Sequence, residues 1–293
     1  MIVLTTPTGA IGSQLLARLI ALNERVRVIV RDAARLDPAV RAAVDVVVGS
    51  HGDPAVVDRA FDGADAVFWL VPPDVRATSL TAAYADFSRP AADAVARHGV
   101  GHVVSVSALG RNTPWERRAG LVTASLAMDD LMASTGAAFR ALTMPSFMDN
   151  MLRQAAALRE GYFVWPDDGN ARRPTCATDD IAEAACDLLL DRSWQGRGER
   201  AVLGPEDLSQ VDQARILSDV LRRPIAFRPV SIADYAEALA RHGASEAFVE
   251  GYAAMMTAKA EGMDNIVGRT PENTTRTRFR TWCEEAVGRG VLA

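Results

Sequence analysis

Lysine is almost absent from this chain: of 32 basic residues, only Lys259 is not an arginine. Chemistry that needs an amine nucleophile or a lysine in a proton relay therefore has one candidate. Arginine is no substitute, because a guanidinium with a pKa above about 12 does not release its proton. Cysteine is scarce as well. Cys176, Cys186 and Cys283 form no CxxC or Cys/His spacing, which argues against a disulfide framework or a zinc site and leaves them as core thiols. No apolar run approaches the roughly 18 residues of a bilayer span. The opening MIVLTTPTG has no basic stretch of the kind that begins a signal peptide, so a cytoplasmic protein is expected. An excess of positive charge is also missing. With 37 acidic residues and a net charge of -5, nothing favours a nucleic-acid partner.

What is present is a globular balance, 49% hydrophobic and 24% charged over 293 residues, enough for one large domain or two modest ones. The first half alternates β-branched runs with amphipathic stretches, the signature of βαβ units and a parallel sheet buried on both faces. Strands are expected at Ile2–Thr5, Val26–Val30, Asp45–Val48, Ala66–Val71, His102–Val106 and Phe139–Thr143. Helices are expected at Gly12–Leu22, Pro54–Phe61, Ala77–His98 and Leu121–Ser134, where apolar residues recur at three and four. This is a doubly wound Rossmann α/β sheet over residues 1–152. Residues 153–293 read as a smaller α+β substrate lobe sharing its cleft. YFVW, RPTCA and Ile225–Val230 are its strands; Leu208–Leu221, Ile232–Arg241, Glu246–Ala260 and Thr274–Val287 are helices. A further helix, Asp179–Leu190, takes Thr178 or Asp179 as its N-cap.

The strongest motif is IVLTTPTGAIGSQLLARLI, a strand that runs into a glycine turn and then a helix. Gly9 permits close approach of a pyrophosphate, Gly12 lets the helix pack on the sheet, and the free N–H groups at the helix start attract an anion. Thr6, Thr8, Gly9, Ala10, Ile11 and Gly12 are the residues expected around the phosphates. At the end of the second strand, Arg31 can clasp the 2'-phosphate of NADP(H), whereas an acid there would favour NAD(H). Asp32 follows, and its carboxylate would oppose NADP if it pointed inward. NADP(H) is favoured. The later strand ends should complete the cleft. Val71, Pro72, Ser105, Pro145 and Phe147 are expected along the cofactor. Trp69, Leu109, Met144, Phe147, Asn150 and Met151 are expected to line a largely apolar substrate pocket.

Taken together, TPTGAIG, Arg31, GADAVFWLVPP, HGVGHVVSVSALG, STGAAFRALTMPSFMDN, ATDDIAEAACDLLLD, LGPEDLS and IVGRTPEN resemble the NmrA-like group of atypical short-chain dehydrogenases/reductases over nearly the whole chain. The resemblance implies a Rossmann domain with a C-terminal substrate lobe and an NAD(P) ligand. It also implies one of two activities: reduction of quinones, azo compounds and similar small acceptors, or catalytically silent redox sensing through a protein partner. The chain departs from the family pattern at two places. Thr6 stands where the turn normally has glycine, and must take a conformation tolerable to a Cβ. Gly49-Ser50 stands where the third strand usually ends in Gly-Asp, the acid lying near the adenine. If these changes abolish nucleotide binding, a third reading follows, of a protein without cofactor.

Reductases of the broader superfamily use a Tyr and, four residues later, a Lys on the helix after the fifth strand. Here those positions are Leu121 and Ser125, so the dyad is absent. Lys259 is expected to be a solvated helix lysine, the alternative being an approach to the cleft from the C-terminal lobe. No catalytic residue is identified; Ser107 and Asn150 are the polar candidates for contacting nicotinamide or substrate. Phe248, Tyr252, Met255 and Met256 read as packing residues, and Trp115 as either part of a lid or an anchor for its loop. Asp179-Asp180 reads as a helix N-cap with a first-turn acid. The four histidines show no metal-ligand spacing, so no metal is expected. The expectation is an NADP(H)-dependent oxidoreductase reducing a small, largely apolar quinone, azo, imine or carbonyl acceptor by direct hydride transfer. Its alternative is the NAD(P)-binding sensor. A homodimer is left open.

Overall fold

A computed structural model describes residues 1–292. The first half runs β1 (Ile2–Thr5), α1 (Ala10–Ala21), β2 (Val26–Val30), α2 (Pro38–Ala42), β3 (Asp45–Val48), α3 (Pro54–Phe61), β4 (Ala66–Trp69), α4 (Phe87–His98), β5 (His102–Ala108), α5 (Leu121–Ala133) and β6 (Ala138–Met144). The second half adds β7 (Ser146–Phe147), α6 (Ala155–Arg159), β8 (Tyr162–Trp165), β9 (Arg173–Cys176), α7 (Thr178–Leu190), β10 (Arg197–Ala201), β11 (Asp207–Leu208), α8 (Gln210–Leu221), β12 (Ala226–Pro229), α9 (Ile232–Arg241), α10 (Glu246–Ala260) and α11 (Phe279–Gly288).

Seven of these strands form one sheet in the order β10-β6-β5-β4-β1-β2-β3, and every pairing in it is parallel. Ile2–Thr5 and Ala66–Trp69 are buried throughout, as strands covered on both faces must be. On one face Ile11, Leu15, Leu16 and Leu19 of α1 pack with Ile181, Ala185 and Leu189 of α7. On the other, Val57 and Phe61 of α3, Ala91 and Val95 of α4, and Met128 and Met132 of α5 form a second cluster. Two small sheets, β11-β9-β7 and β12-β8, make up the C-terminal lobe. Its core holds Phe163, Leu217, Phe279, Trp282 and Cys283.

The division at residue 152 is less clean than the sequence pattern implies. Strand β10 lies beside β6 in register Arg197↔Phe139 to Ala201↔Thr143, so the main sheet takes its seventh strand from the second half. Helix α7 likewise covers that sheet, tied to α1 by Arg18–Asp179 at 2.8 Å and by Gln14 Nε2 donating to Thr178 Oγ1 at 2.9 Å.

Several boundaries differ from the expected ones for identifiable reasons. The fourth strand stops at Trp69 rather than Val71, because the Leu70 N–H is taken by Thr5 Oγ1 at 2.9 Å while the same hydroxyl donates to Phe68 O at 3.1 Å. The helix expected from Ala77 passes through a π turn at Ala82–Asp86 before α4. Pro90, inside α4, has no N–H to bond back to Asp86, and its ring crowds that carbonyl. The last helix begins only at Phe279, since Thr274 is held against Leu203 by Leu203 N to Asn273 O at 2.8 Å and Thr275 N to Leu203 O at 2.7 Å. Helix α7 is capped by neither Thr178 nor Asp179. Its N-cap is Ala177, and the capping oxygens come from Asp149, which accepts from Thr178 N at 3.0 Å and Thr178 Oγ1 at 2.9 Å.

Candidate functional site

The glycine turn joins β1 to α1 at the carboxyl edge of the sheet. Thr6 has φ +53°, the left-handed region in which a β-branched residue is unusual. That conformation aims its carbonyl at the helix start, where it accepts from Gly9 N at 3.0 Å. A Cβ at Gly12 would run into the same carbonyl oxygen, so glycine is required there for the helix to pack on the turn. Gly9 differs. A Cβ built on it meets Thr6 O only at 3.4 Å, an ordinary contact, so its bare backbone serves the space outside the protein. Gly9 supplies no side-chain cap and the first turn of α1 carries no acid, leaving the helix N–H groups turned outward. The Thr6 hydroxyl is buried without a partner. Together these features are those a phosphate cradle requires: outward N–H groups, an open approach and an unused donor.

Arg31 follows β2. It is exposed and makes no hydrogen bond or ion pair with a described residue. The Asp32 carboxylate is used locally, Oδ1 accepting from Ala34 N at 2.9 Å to cap the short turn Ala33–Arg35. After β3, Ser50 is likewise engaged in its own turn, its hydroxyl accepting from Gly52 N at 3.2 Å. His51 meets Trp69 and Phe87 edge-on, with ring centroids 5.3 and 4.8 Å away. Burial lowers its pKa to about 4; the bond to the Leu70 backbone opposes the shift and the Arg31 charge adds to it. The ring is therefore neutral at physiological pH.

At the ends of β4, β5 and β6 the expected residues divide into those at the cleft and those beneath it. Trp69 is wholly buried among the α3 and α4 side chains, its indole N–H donating to Ser88 Oγ at 3.1 Å, and it presents no surface to a substrate. Ser105 is also fully buried. Leu109, Met144 and Met151 are buried apolar side chains, Pro145 is buried and Val71 nearly so. Pro72 is exposed, Phe147 and Asn150 are half-buried, and the Asn150 amide has no protein partner among the described residues. Asn150 is next to Asp149, the residue that caps α7, so the segment after β7 is fixed against the helix that packs on α1.

A polar cluster that the sequence reading did not identify lies behind Ser107. Asp129 of α5 is completely buried; Ser105 Oγ donates to its Oδ1 at 3.0 Å and Ser107 Oγ to its Oδ2. Ser125 Oγ is 3.4 Å from Ser107 Oγ. Burial is the main cause of an Asp129 pKa pushed up to about 7; the two serine hydroxyls and Arg111 oppose the shift, and Glu199 adds to it. The helix pattern held the signal: Asp129 falls four after Ser125 and three before Met132, on the buried stripe of α5.

The positions of the absent dyad are sealed. Leu121 is buried, and Gly120, with φ +52°, packs so closely on the backbone of Gly251 in α10 that a Cβ would collide with it. Lys259 is not solvated, contrary to expectation: its Nζ lies 2.9 and 2.6 Å from the two carboxylate oxygens of Asp264, and both side chains are buried. It lines a cavity of about 20 Å³, room for one water, with Ser146, Arg173, Thr175 and Gln213. Trp115 anchors its loop, donating from Nε1 to Glu261 at 2.6 Å beside the Arg118–Glu261 pair at 2.8 Å. Phe248 and Met256 are core residues, and the three cysteines are buried and free. Among the described residues no group of three His, Cys, Asp or Glu side chains could hold a metal, and no helix is long and apolar enough to cross a membrane.

Comparisons with known proteins agree with this geometry. A family model described as NAD(P)H-binding matches residues 7–192. The (4-alkanoyl-5-oxo-2,5-dihydrofuran-3-yl)methyl phosphate reductase of Streptomyces griseus subsp. griseus is 32% identical over 294 residues, covering 97% of each chain. The NAD(P)H azoreductase of Xenophilus azovorans is 26% identical over 98% of this chain and 96% of its own. The triphenylmethane reductase of Citrobacter sp., solved with NADP(H), shares the fold with a TM-score of 0.79 at 19% identity, over 98% of this chain and 100% of that one.

Proposed function

The chain belongs to the NAD(P)H-binding family, and from that premise we propose that it is an NmrA-like atypical short-chain dehydrogenase/reductase that uses NADPH to reduce a small, largely apolar acceptor by direct hydride transfer. The observation that carries this reading is the turn itself: an unpartnered Thr6 hydroxyl, an open Gly9 and a helix start whose N–H groups face outward. In this reading the pyrophosphate sits against Thr8 to Gly12. The free guanidinium of Arg31 clasps the 2'-phosphate, a charge-assisted contact that Asp32, bound to Ala34, does not oppose. Val71, Pro72, Pro145 and Phe147 flank the nicotinamide, and Leu109, Met144 and Met151 form the apolar floor beneath the acceptor.

When bound, the reduced nicotinamide supplies the hydride. This chain's residues then orient the acceptor, exclude water and provide one proton. Asn150, whose amide has no protein partner among the described residues, would donate to a polar atom of the acceptor. The names of the two relatives point to acceptors with a reducible double bond, one a dihydrofuran ring with an oxo group and the other an azo bond. Electron-poor acceptors of that kind do not require a Tyr/Lys dyad to accept hydride. The test is stopped-flow oxidation of NADPH against quinones, azo dyes and conjugated lactones. Turnover with at least one class is expected; tight NADPH binding without turnover of any would overturn the reading.

A further inference from the structure

We infer that Ser107 delivers the proton that completes reduction and that Asp129, acting only through Ser107, stores and replaces it. This rests on the reductase reading above and goes beyond it by naming a proton source in a fold whose usual one is missing. Ser107 is the penultimate residue of β5, at the sheet edge where ligands of this architecture bind. Alternation along the strand puts Ser105 and Ser107 on the same side, facing α5, and each donates to one oxygen of Asp129. Ser125, at the register position of the absent lysine, meets the Ser107 hydroxyl. The carboxyl is fully buried, with Met128 and Met132 of the same helix in the core, and Ser107, 8% exposed at the strand end, is the partner through which it would reach the cleft.

A buried carboxyl with two hydroxyl partners and no cation in contact is a poor ion pair and a good proton store. The charged groups whose fields reach it are Arg111, on the loop after β5, and Glu199, on β10, and these neutralise each other at 2.8 Å. Asp130, its neighbour on α5, is taken up by Arg111 at 3.0 Å and by Arg197. The desolvated carboxyl is therefore half protonated at about pH 7.

The step balances as follows. The acceptor has gained two electrons and one hydrogen as hydride and carries a basic oxygen, nitrogen or carbon. That atom forms a bond to the Ser107 hydroxyl proton as the Oγ–H bond breaks. In the protonated carboxyl the bond to Ser107 runs the other way, Oδ2–H donating to Ser107 Oγ and freeing the serine proton for the acceptor; the Oδ2 proton then moves to Ser107 Oγ, leaving Asp129 as carboxylate. After product leaves, water returns the proton to Asp129 through Ser107.

Two measurements test this. In the protein without cofactor, the infrared carbonyl stretch of a protonated carboxyl should be present at pH 6, fade through about pH 7 and be missing in Asp129→Asn; no such band at pH 6 in the wild type would overturn the inference. In turnover, an azo or carbonyl acceptor needs hydride and a proton, whereas a carbocationic dye needs hydride alone. The ratio of the two rates should fall about 100-fold in Asp129→Asn and in Ser107→Ala. In the wild type it should fall as pH rises above about 7, and in Asp129→Asn it should be flat with pH. Ser107→Ala keeps the carboxyl band, so a rate effect without that band's loss separates proton delivery from misfolding. An unchanged ratio in both variants refutes the relay while leaving the reductase reading intact; absence of NADPH oxidation with every acceptor in the wild type refutes the reductase reading instead.

Discussion

Replacing Thr6 with glycine should stabilise the protein without cofactor and weaken its hold on NADPH. Thr6 sits at φ +53°, where a side chain costs about 1–2 kcal/mol relative to the right-handed region. Its hydroxyl is buried without a partner, which costs about 1–3 kcal/mol more. Glycine removes both penalties but lowers the folded state's advantage by about 0.5–1 kcal/mol through the added freedom of the unfolded chain. The net gain is about 1–4 kcal/mol, or about 2–7 °C in Tm for a chain of this size. The opposite sign is expected for the cofactor. If the hydroxyl is kept for a phosphate oxygen, its loss removes a hydrogen bond to a charged group of about 1.5–3 kcal/mol, weakening NADPH at least tenfold. Differential scanning calorimetry with and without NADPH, paired with isothermal titration, measures both. A variant that melts lower without cofactor would refute the strain, and unchanged NADPH affinity would refute the role given to the hydroxyl.

Arg31→Ala should weaken NADPH about 10- to 100-fold and leave NADH within a factor of about two, read as KM for each cofactor; equal losses for both would remove Arg31 from cofactor choice. Lys259→Met alone leaves Asp264 buried without its partner and should cost about 3–5 kcal/mol in chemical denaturation, whereas Lys259→Met with Asp264→Leu should recover most of it. Asp129 has a folded pKa raised from 3.8 to about 7. Its protonated form therefore contributes stability that is complete below about pH 4 and lost as pH rises through 7, about 4 kcal/mol in all. The stability of wild type relative to Asp129→Asn should fall across that window, and parallel curves would contradict the shift.

The parallel sheet and its glycine turn were legible because both are local. Buried β-branched runs, a glycine pair between strand and helix, and Arg31 after the second strand each declare themselves within a few residues. What the sequence concealed depends on distant partners. The seventh strand, Arg197–Ala201, is mostly polar with no buried residue, and becomes a strand only by lying beside β6. The cap of α7 comes from Asp149, 29 positions earlier. Lys259 looks like a surface lysine until Asp264, five residues on, curls back under it. Trp69 ends a strand at the cleft edge but turns toward Ser88, because strand alternation sends it to the α4 face. Asp129 was the missed residue with a local signal, an acid on the apolar stripe of a helix. Its serine partners on β5, 24 and 22 positions earlier, give that acid its meaning.

The proposed reaction moves a hydride from NADPH directly onto an acceptor held over the ends of β4 to β6. Reduction of a conjugated lactone with 4-deuterated NADPH, followed by mass spectrometry and NMR of the product, measures that transfer. One deuterium is expected on the carbon across the former double bond, with label from only one face of the nicotinamide. A product with no deuterium at that carbon, or a cofactor that binds and is never oxidised, would contradict it.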